Sequence, residues 1–183
     1  MVPEEASSAV EETVAEFGRL DILVNNAGFM DQSGVAFQDL PTDTIDRTLH
    51  VNIRSCVRAA QAATRHLEEG GRIINIGSCL GERVPGPGNT LYAMSKAAVT
   101  GMTKGLARDL GPHGITVNQV SPGPVDTDMN PADGPTASIQ RDLTILGRYG
   151  EPTEIAAAVV YLAGDGASFV TGATLPVDGG NTV

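Results

Sequence analysis

Residues 21–28 read Asp21-Ile22-Leu23-Val24-Asn25-Asn26-Ala27-Gly28, three aliphatic side chains in a row running into an Asn-Asn-Ala-Gly turn. An unbroken apolar run has no polar face, so as a strand it must be covered on both sides. That is the habit of a parallel sheet with helices above and below. The pattern recurs downstream. Arg72-Ile-Ile-Asn-Ile-Gly-Ser78 is a second strand of this kind, and Thr116-Val-Asn-Gln-Val120 is a third, broken by Ser121-Pro122-Gly123-Pro124. Thr174-Leu-Pro-Val177 makes a short fourth before Asp178-Gly179-Gly180.

Helical segments lie between these strands. Ala6, Val10, Val14 and Phe17 fall on one face of an opening helix, with Pro3 suited to its first turn, Glu4 and Glu5 at the favourable end of its dipole, and Gly18 as its stop. A second helix is predicted from Pro41-Thr42 to Leu67, closed by Gly70-Gly71. A third spans Thr90 to Leu110, ended by Gly111-Pro112, and a fourth spans Pro152 to Ala163. Residues 29–41 and the Gly/Pro-rich stretch 81–88 read as loops, and 129–149 is mixed and polar. Four strands alternating with four helices predict an α/β fold, a Rossmann-like doubly wound parallel sheet with right-handed crossovers. Ligands of such sheets bind beyond the carboxyl ends of the strands, which lines up Asn25–Gly28, Ser78–Gly81 and Pro122–Asp126 along one rim.

Composition narrows what that rim can serve. The 183 residues, read as a single domain over 1–183, are 41% hydrophobic and carry a net charge of −10. Such a charge repels phosphate backbones and anionic lipid, which disfavours nucleic-acid and membrane partners. The first seventeen residues hold five glutamates and no apolar core of a signal peptide, and no run approaches eighteen apolar residues. Cys56 and Cys79 match no zinc spacing and cannot form a disulfide framework, and His50, His66 and His113 lack partners at metal-ligand spacing. The expectation is a reduced, cytoplasmic protein without a bound metal.

One spacing on the rim suggests chemistry. Tyr92-Ala-Met-Ser-Lys96 opens the long helix, and i, i+4 puts phenol and ammonium on one face. A neighbouring cation favours the phenolate, so a phenol so tuned can trade a proton with a carbonyl or alcohol oxygen. Taken alone, the same spacing also suits a solvent-facing pair. Ser78 ends the second strand where its hydroxyl could meet the same oxygen, or could serve its own turn. Asn52 sits inside a helix, where Asn is mildly unfavourable and either finds a specific partner or faces solvent. Gly123 between two prolines allows another group to approach closely, and Thr127 follows with a free hydroxyl. Cys79 beside Ser78 lacks the cationic neighbour that a nucleophilic thiol needs.

In combination, Asn25-Asn26-Ala27-Gly28, Asn52, Ser78, Tyr92-x-x-x-Lys96 and Pro122-Gly123 stand in the order found in the short-chain dehydrogenases/reductases. The chain resembles that family over essentially its whole length, particularly its 3-oxoacyl-(acyl-carrier-protein) reductase-like members, and Thr171-Gly172-Ala173-Thr174-Leu175 and Val177-Asp178-Gly179-Gly180 add to the likeness. The resemblance implies an NAD(P)-dependent oxidoreductase interconverting a carbonyl and an alcohol in a small molecule. Tyr92 would be the proton donor or acceptor, Lys96 would lower its pKa and bind the nicotinamide ribose, Ser78 would orient the substrate oxygen, and Asn52 would hold a water leading from Lys96 to solvent. Asn26, Ala27 and Gly28 would line the adenosine-ribose side of NAD or NADP, and Pro122, Gly123, Val125 and Thr127 would hold the nicotinamide. The resemblance also implies a homo-oligomer through helices 42–67 and 90–110, and a substrate cover over about Met129–Tyr149.

The family's pattern begins earlier than this sequence does. A glycine-rich turn that receives the cofactor pyrophosphate must follow a strand and open a helix. Gly86-Pro-Gly88 lies in a loop, and Gly164-Asp-Gly166 follows a helix. The expectation is therefore a fold shortened at its amino end, with weak or no turnover by these residues alone and a hydrophobic sheet edge at 21–25. The alternative it raises is a non-catalytic relic of the family that self-associates or binds a partner, or that keeps a substrate pocket without hydride transfer.

Overall fold

The computed structural model describes residues 3–183, with side chains from Glu5 onward, so the first-turn side-chain placements expected for Pro3 and Glu4 lie outside the described residues. Four strands form one sheet in chain order: β1 (Ile22–Asn25), β2 (Arg72–Ile76), β3 (Thr116–Pro122) and β4 (Thr174–Val177). All neighbours are parallel, and the register sets Asn25, Asn75, Gln119 and Thr174 side by side across the sheet. β2 is buried on both faces, as its apolar run requires, with Ile73 pointing one way and Ile74 the other.

Helices α1 (Pro3–Phe17), α2 (Thr42–Leu49), α3 (Ser55–Ala63), α4 (Thr90–Leu110), α5 (Ala137–Asp142) and α6 (Pro152–Ala163) complete the chain. On one face, Ala6 and Val10 of α1, Ala59, Ala62 and Ala63 of α3 and Ala107 of α4 pack with Ile73 and Val117. The alanines let the helix backbones come close to the sheet. On the other face Ile74 and Val120 pack against Leu162 of α6 and Ala167. Each valine, leucine or isoleucine so buried contributes about 1.5–3 kcal/mol, and each alanine methyl roughly 0.8 kcal/mol.

Three expectations need correction. The last crossover, from β3 through α6 to β4, advances the strand order in the same direction as the earlier two but over the opposite face. Its hand is therefore opposite to theirs, where right-handed connections were expected throughout. The 42–67 helix is not a regular α-helix. A π-turn over His50–Arg54 separates α2 from α3, and after Ala63 the chain tightens, with Arg65 and His66 donating to carbonyls three residues back. Within 129–149 the short α5 forms without an apolar periodicity. Paired amides of Asn130 and Gln140, and Arg141 donating to the Ala132 carbonyl, hold it instead.

At the sheet's first edge Ile22 and Val24 are 42% and 40% exposed. The apolar edge expected at 21–25 is thus open among the described residues. No helix of the described residues is long and apolar enough to cross a membrane.

Candidate active site

The carboxyl ends of β1, β2 and β3 place the three expected segments on one rim, and each is held there by a different device. Beyond β1, the Asn26–Phe29 backbone is pinned by Asn52. The Asn52 side chain accepts from the Phe29 N–H at 2.7 Å, donates to the Phe29 carbonyl at 2.8 Å and donates to Ser95 Oγ at 2.9 Å. Asn52 is 1% exposed, and it lies in the π-turn, a widened coil that is frequent at functional sites. Of its two open readings the structure shows the buried one with specific partners. Arg47 stacks over the Phe29 ring, 4.1 Å from its centroid.

Gly28 shows why the turn closes on this point. A methyl group there would stand 3.5 Å from Lys96 Nζ and 3.9 Å from Asn52 Oδ1, so Gly28, Asn52 and Lys96 converge. Asn26 is exposed on the rim beside them, with Ala27 half-buried. Below the turn, Asn25 donates to Asn75 Oδ1 and Asn75 donates to Thr103 Oγ1, each at 2.9 Å, which ties β1, β2 and α4 together.

Beyond β2, Ser78 is extended and its Oγ accepts from the Leu80 N–H at 3.1 Å, so it does serve its own turn. It also faces Tyr92. Burial pushes the Tyr92 phenol above its ordinary value, the Ser78 hydroxyl opposes that rise, and Cys79 adds to it. Lys96 is 4% exposed and its Nζ donates to the Ile76 carbonyl at 2.9 Å, 5.6 Å from the centre of the Tyr92 ring. Burial pushes the ammonium down, with Cys56 opposing. The expected lowering of the phenol by the cation is thus not what this arrangement produces. The ammonium is committed to a backbone carbonyl, and loss of water is the larger effect on both groups. Burial likewise raises the Cys79 thiol to about 11, so it stays protonated.

Beyond β3, Pro122–Thr127 runs across the rim. The Gly123 N–H donates to the Val177 carbonyl at 3.1 Å, and a methyl group on Gly123 would lie 2.6 Å from the Asp178 Cα. Only glycine permits that approach. Val125 bridges to Gly150, and Thr127 is exposed at the tip with Asn130 as its backbone partner. Two residues that sequence reasoning overlooked help to build the site. Ser95 bonds back to the Tyr92 carbonyl while receiving Asn52, and Phe29 is the loop's anchor. A serine inside a helix is a signal for such a partner, whereas nothing marks Phe29 in advance.

A parallel sheet with a half-buried Tyr92, a buried Lys96 and glycine turns at its carboxyl rim is a Rossmann-like α/β fold with a candidate acid–base pair. The sequence model of the family described as enoyl-(acyl carrier protein) reductase matches residues 2–182. The chain is 50% identical over 171 residues to the cyclic-di-GMP-binding biofilm dispersal mediator protein of Escherichia coli, covering 93% of this chain and 71% of that protein. It is 41% identical over 182 residues to the 3-oxoacyl-(acyl-carrier-protein) reductase of Salmonella typhimurium, covering 97% and 73%. A crystal structure of a short-chain dehydrogenase from Burkholderia cenocepacia in complex with NADP superposes with a TM-score of 0.96 at 51% identity, over 99% of this chain and 73% of that one. The chain belongs to the short-chain dehydrogenase/reductase family, a family of NAD(P)-dependent oxidoreductases.

The residues present fit one end of a dinucleotide. Gly28 leaves room beside Lys96, and Gly123 lets the Pro122–Thr127 backbone lie flat on the C-terminal turn. For the pyrophosphate, the described residues hold no G-x-G-x-x-G-type turn leading directly from a strand into a helix, and the glycine-containing connector between β2 and α4 lacks that spacing.

Proposed function

We propose that this chain is an NAD(P)-dependent carbonyl/alcohol oxidoreductase whose acid–base group is Tyr92, within a single domain over 1–183. The observation that carries the reading is the convergence of Gly28, Asn52 and Lys96 at the rim position where Tyr92 faces Ser78. A nicotinamide cofactor, when bound, supplies or accepts the hydride. Tyr92 Oη gives or takes the proton of the substrate oxygen, and the Ser78 hydroxyl orients that oxygen. Lys96 holds the ribose beside Tyr92, and its positive charge favours the phenolate when it turns from the Ile76 carbonyl toward that ribose. Asn52, with its side chain fully engaged, acts through the backbone of its π-turn in holding a water on the path from Lys96 to solvent. Asn26, Ala27 and Gly28 line the adenosine-ribose side, and Pro122, Gly123, Val125 and Thr127 hold the nicotinamide.

The substrate is a small carbonyl or alcohol compound under the 129–149 cover. We place oligomer contacts on α4, where Met94, Ala97, Ala98, Gly101 and Gly105 form an exposed face at helical spacing, together with Val57 on α3. Affinity of these residues alone for NAD or NADP is weak, because no pyrophosphate turn is among them.

Titration with NADH and NADPH, followed by nicotinamide fluorescence, tests the reading. Saturable but weak binding that survives Tyr92→Phe, with any residual turnover of small carbonyl compounds lost in that variant, is the expected outcome. Turnover unchanged by Tyr92→Phe refutes it. The open apolar edge at Ile22 and Val24 supports a second reading, a self-associating relic of the family, which predicts oligomers and no response to either cofactor.

A further inference from the structure

Beyond β4 the chain folds into a turn that touches the loops of the carboxyl rim. The Asp178 carboxylate is buried and takes three donors: the Gly180 N–H at 2.9 Å on Oδ1, and the Thr182 N–H at 3.0 Å and Thr182 Oγ1 at 2.7 Å on Oδ2. Burial alone would raise its pKa, but the Thr182 hydroxyl and the backbone N–H groups of Gly180, Thr182 and Asn181 outweigh that and hold it ionised. Gly179 and Gly180 both adopt positive φ, 64° and 81°, which lets the chain wrap around this carboxylate.

The wrapped turn contacts three separate parts of the site. Arg83 Nη1, on the loop that begins at Ser78, donates to the Asn181 carbonyl. Gly123 of the nicotinamide loop donates to Val177 and lies against the Asp178 backbone. The Leu146 N–H donates to the Gly179 carbonyl at 3.1 Å, and a methyl group on Gly180 would stand 2.8 Å from Ile145 Cδ1. Each of these segments follows a different strand or helix, and the turn is a point that all three share.

We propose that Asp178 is a positioning residue: its carboxylate shapes the C-terminal turn into a clamp that fixes the Ser78–Arg83 loop, the Pro122–Thr127 loop and the 144–146 stretch relative to one another. What the three segments do rests on the oxidoreductase reading; that they are clamped does not. A carboxylate suits the task because it accepts all three donors, whereas an amide at 178 would set its own N–H₂ against one of them.

Hydrogen–deuterium exchange of the full chain, with NADPH titration on the same samples, tests the clamp. In Asp178→Ala, peptides covering 79–84, 121–127 and 143–148 exchange faster, on the order of tenfold, as their shared support opens locally. NADPH affinity falls with them at temperatures well below melting, where a loss confined to stability leaves it unchanged. Asp178→Asn recovers part of both effects, since one carbonyl oxygen still receives Thr182. Faster exchange limited to 178–182, with the three loops unaffected, overturns the proposal. If Asp178→Ala does not fold, Thr182→Val removes one donor and Arg83→Gln cuts one link. The first must then loosen all three loops and the second only 79–84, and any other pattern overturns the clamp. A wild-type chain that ignores NADPH sinks the oxidoreductase reading, and the exchange pattern still decides the clamp.

Discussion

Lys96 is an ammonium held in a place that suits a ligand better than it suits the fold. Of its three N–H donors, one reaches a protein acceptor, the Ile76 carbonyl at 2.9 Å, and the group is 4% exposed. Replacing buried ion pairs by well-packed apolar side chains of similar volume is often neutral or stabilising by about 1–4 kcal/mol, and a buried ammonium with a single protein acceptor carries the same desolvation cost. Losing the bond to Ile76 costs about 1 kcal/mol. Lys96→Met should therefore gain up to about 3 kcal/mol, at about 2–4 °C in melting temperature per kcal/mol for a domain of this size, while abolishing cofactor binding. The pH dependence follows from the direction of the shift. With its folded pKa pushed by burial below the ordinary 10.5, Lys96 binds its proton more tightly in the unfolded chain. The penalty is complete below the folded value and fades as pH rises toward 10.5, so the advantage of Lys96→Met narrows in that window. Both thiols have raised values, but they are present in both proteins, so their linkage above the ordinary 9.0 largely cancels from the difference. Urea unfolding followed by circular dichroism measures the difference. A Lys96→Met protein that unfolds at lower urea than wild type at neutral pH refutes the reasoning.

Asn75→Leu leaves the buried Asn25 amide without its acceptor and should cost about 1–3 kcal/mol in urea unfolding, with no change in secondary structure. Asn52→Ala removes three hydrogen bonds at roughly 1 kcal/mol each and frees the Phe29 loop; lower stability and faster amide exchange over 26–30 are expected together. Arg148 holds the Glu154 carboxyl down to about 2, from 4.5. That contribution is present above 4.5 and lost as pH falls toward 2, so Glu154→Gln should flatten this part of the acid limb. The effect is small and salt-sensitive because the pair faces water, and an acid limb identical to wild type at low salt would show that the pair adds nothing.

How much of this was legible beforehand differs with the kind of interaction. The strands announced themselves because a residue buried on both faces leaves an apolar run, and Gly28, Ser78 and Pro122 fell on the rim because turns follow strands. The hand of the last crossover was not legible: the pattern of residues 152–177 states that a helix and a strand follow β3, not which face the helix takes. The π-turn at His50–Arg54 was equally hidden, since Thr42 to Ala63 carries no glycine or proline to mark it. Spacing brought Tyr92 and Lys96 to one helix face but could not weigh desolvation against attraction. That balance depends on how closely α4 packs on the Cys79–Gly81 turn, where a methyl added to Gly81 would lie 3.1 Å from the Lys96 carbonyl carbon.

The inward stripe of α4 shows how one helix serves both stability and chemistry. Lys96, Thr100, Thr103 and Ala107 follow one another along its sheet side, and their partners change from polar to apolar with distance from the rim. Lys96 meets the Ile76 carbonyl, Thr100 meets Gln119 Nε2 at 3.2 Å, Thr103 meets Asn75 at 2.9 Å, and Ala107 packs on Val117. Apolar contacts at the far end stabilise the helix on the sheet but tolerate sliding, because one aliphatic neighbour substitutes for another. The polar bonds add little net stability, yet they tolerate no slide: moving α4 by one residue, about 1.5 Å, would break all three at once and strand buried groups. The Asn25–Asn75–Gln119 row lies in register across three strands, and Thr103 and Thr100 fix Asn75 and Gln119 of that row to α4. The proton donor proposed at Tyr92 would need its position fixed to within a fraction of that slide. The polar layer therefore belongs directly beneath the rim and nowhere else along the helix.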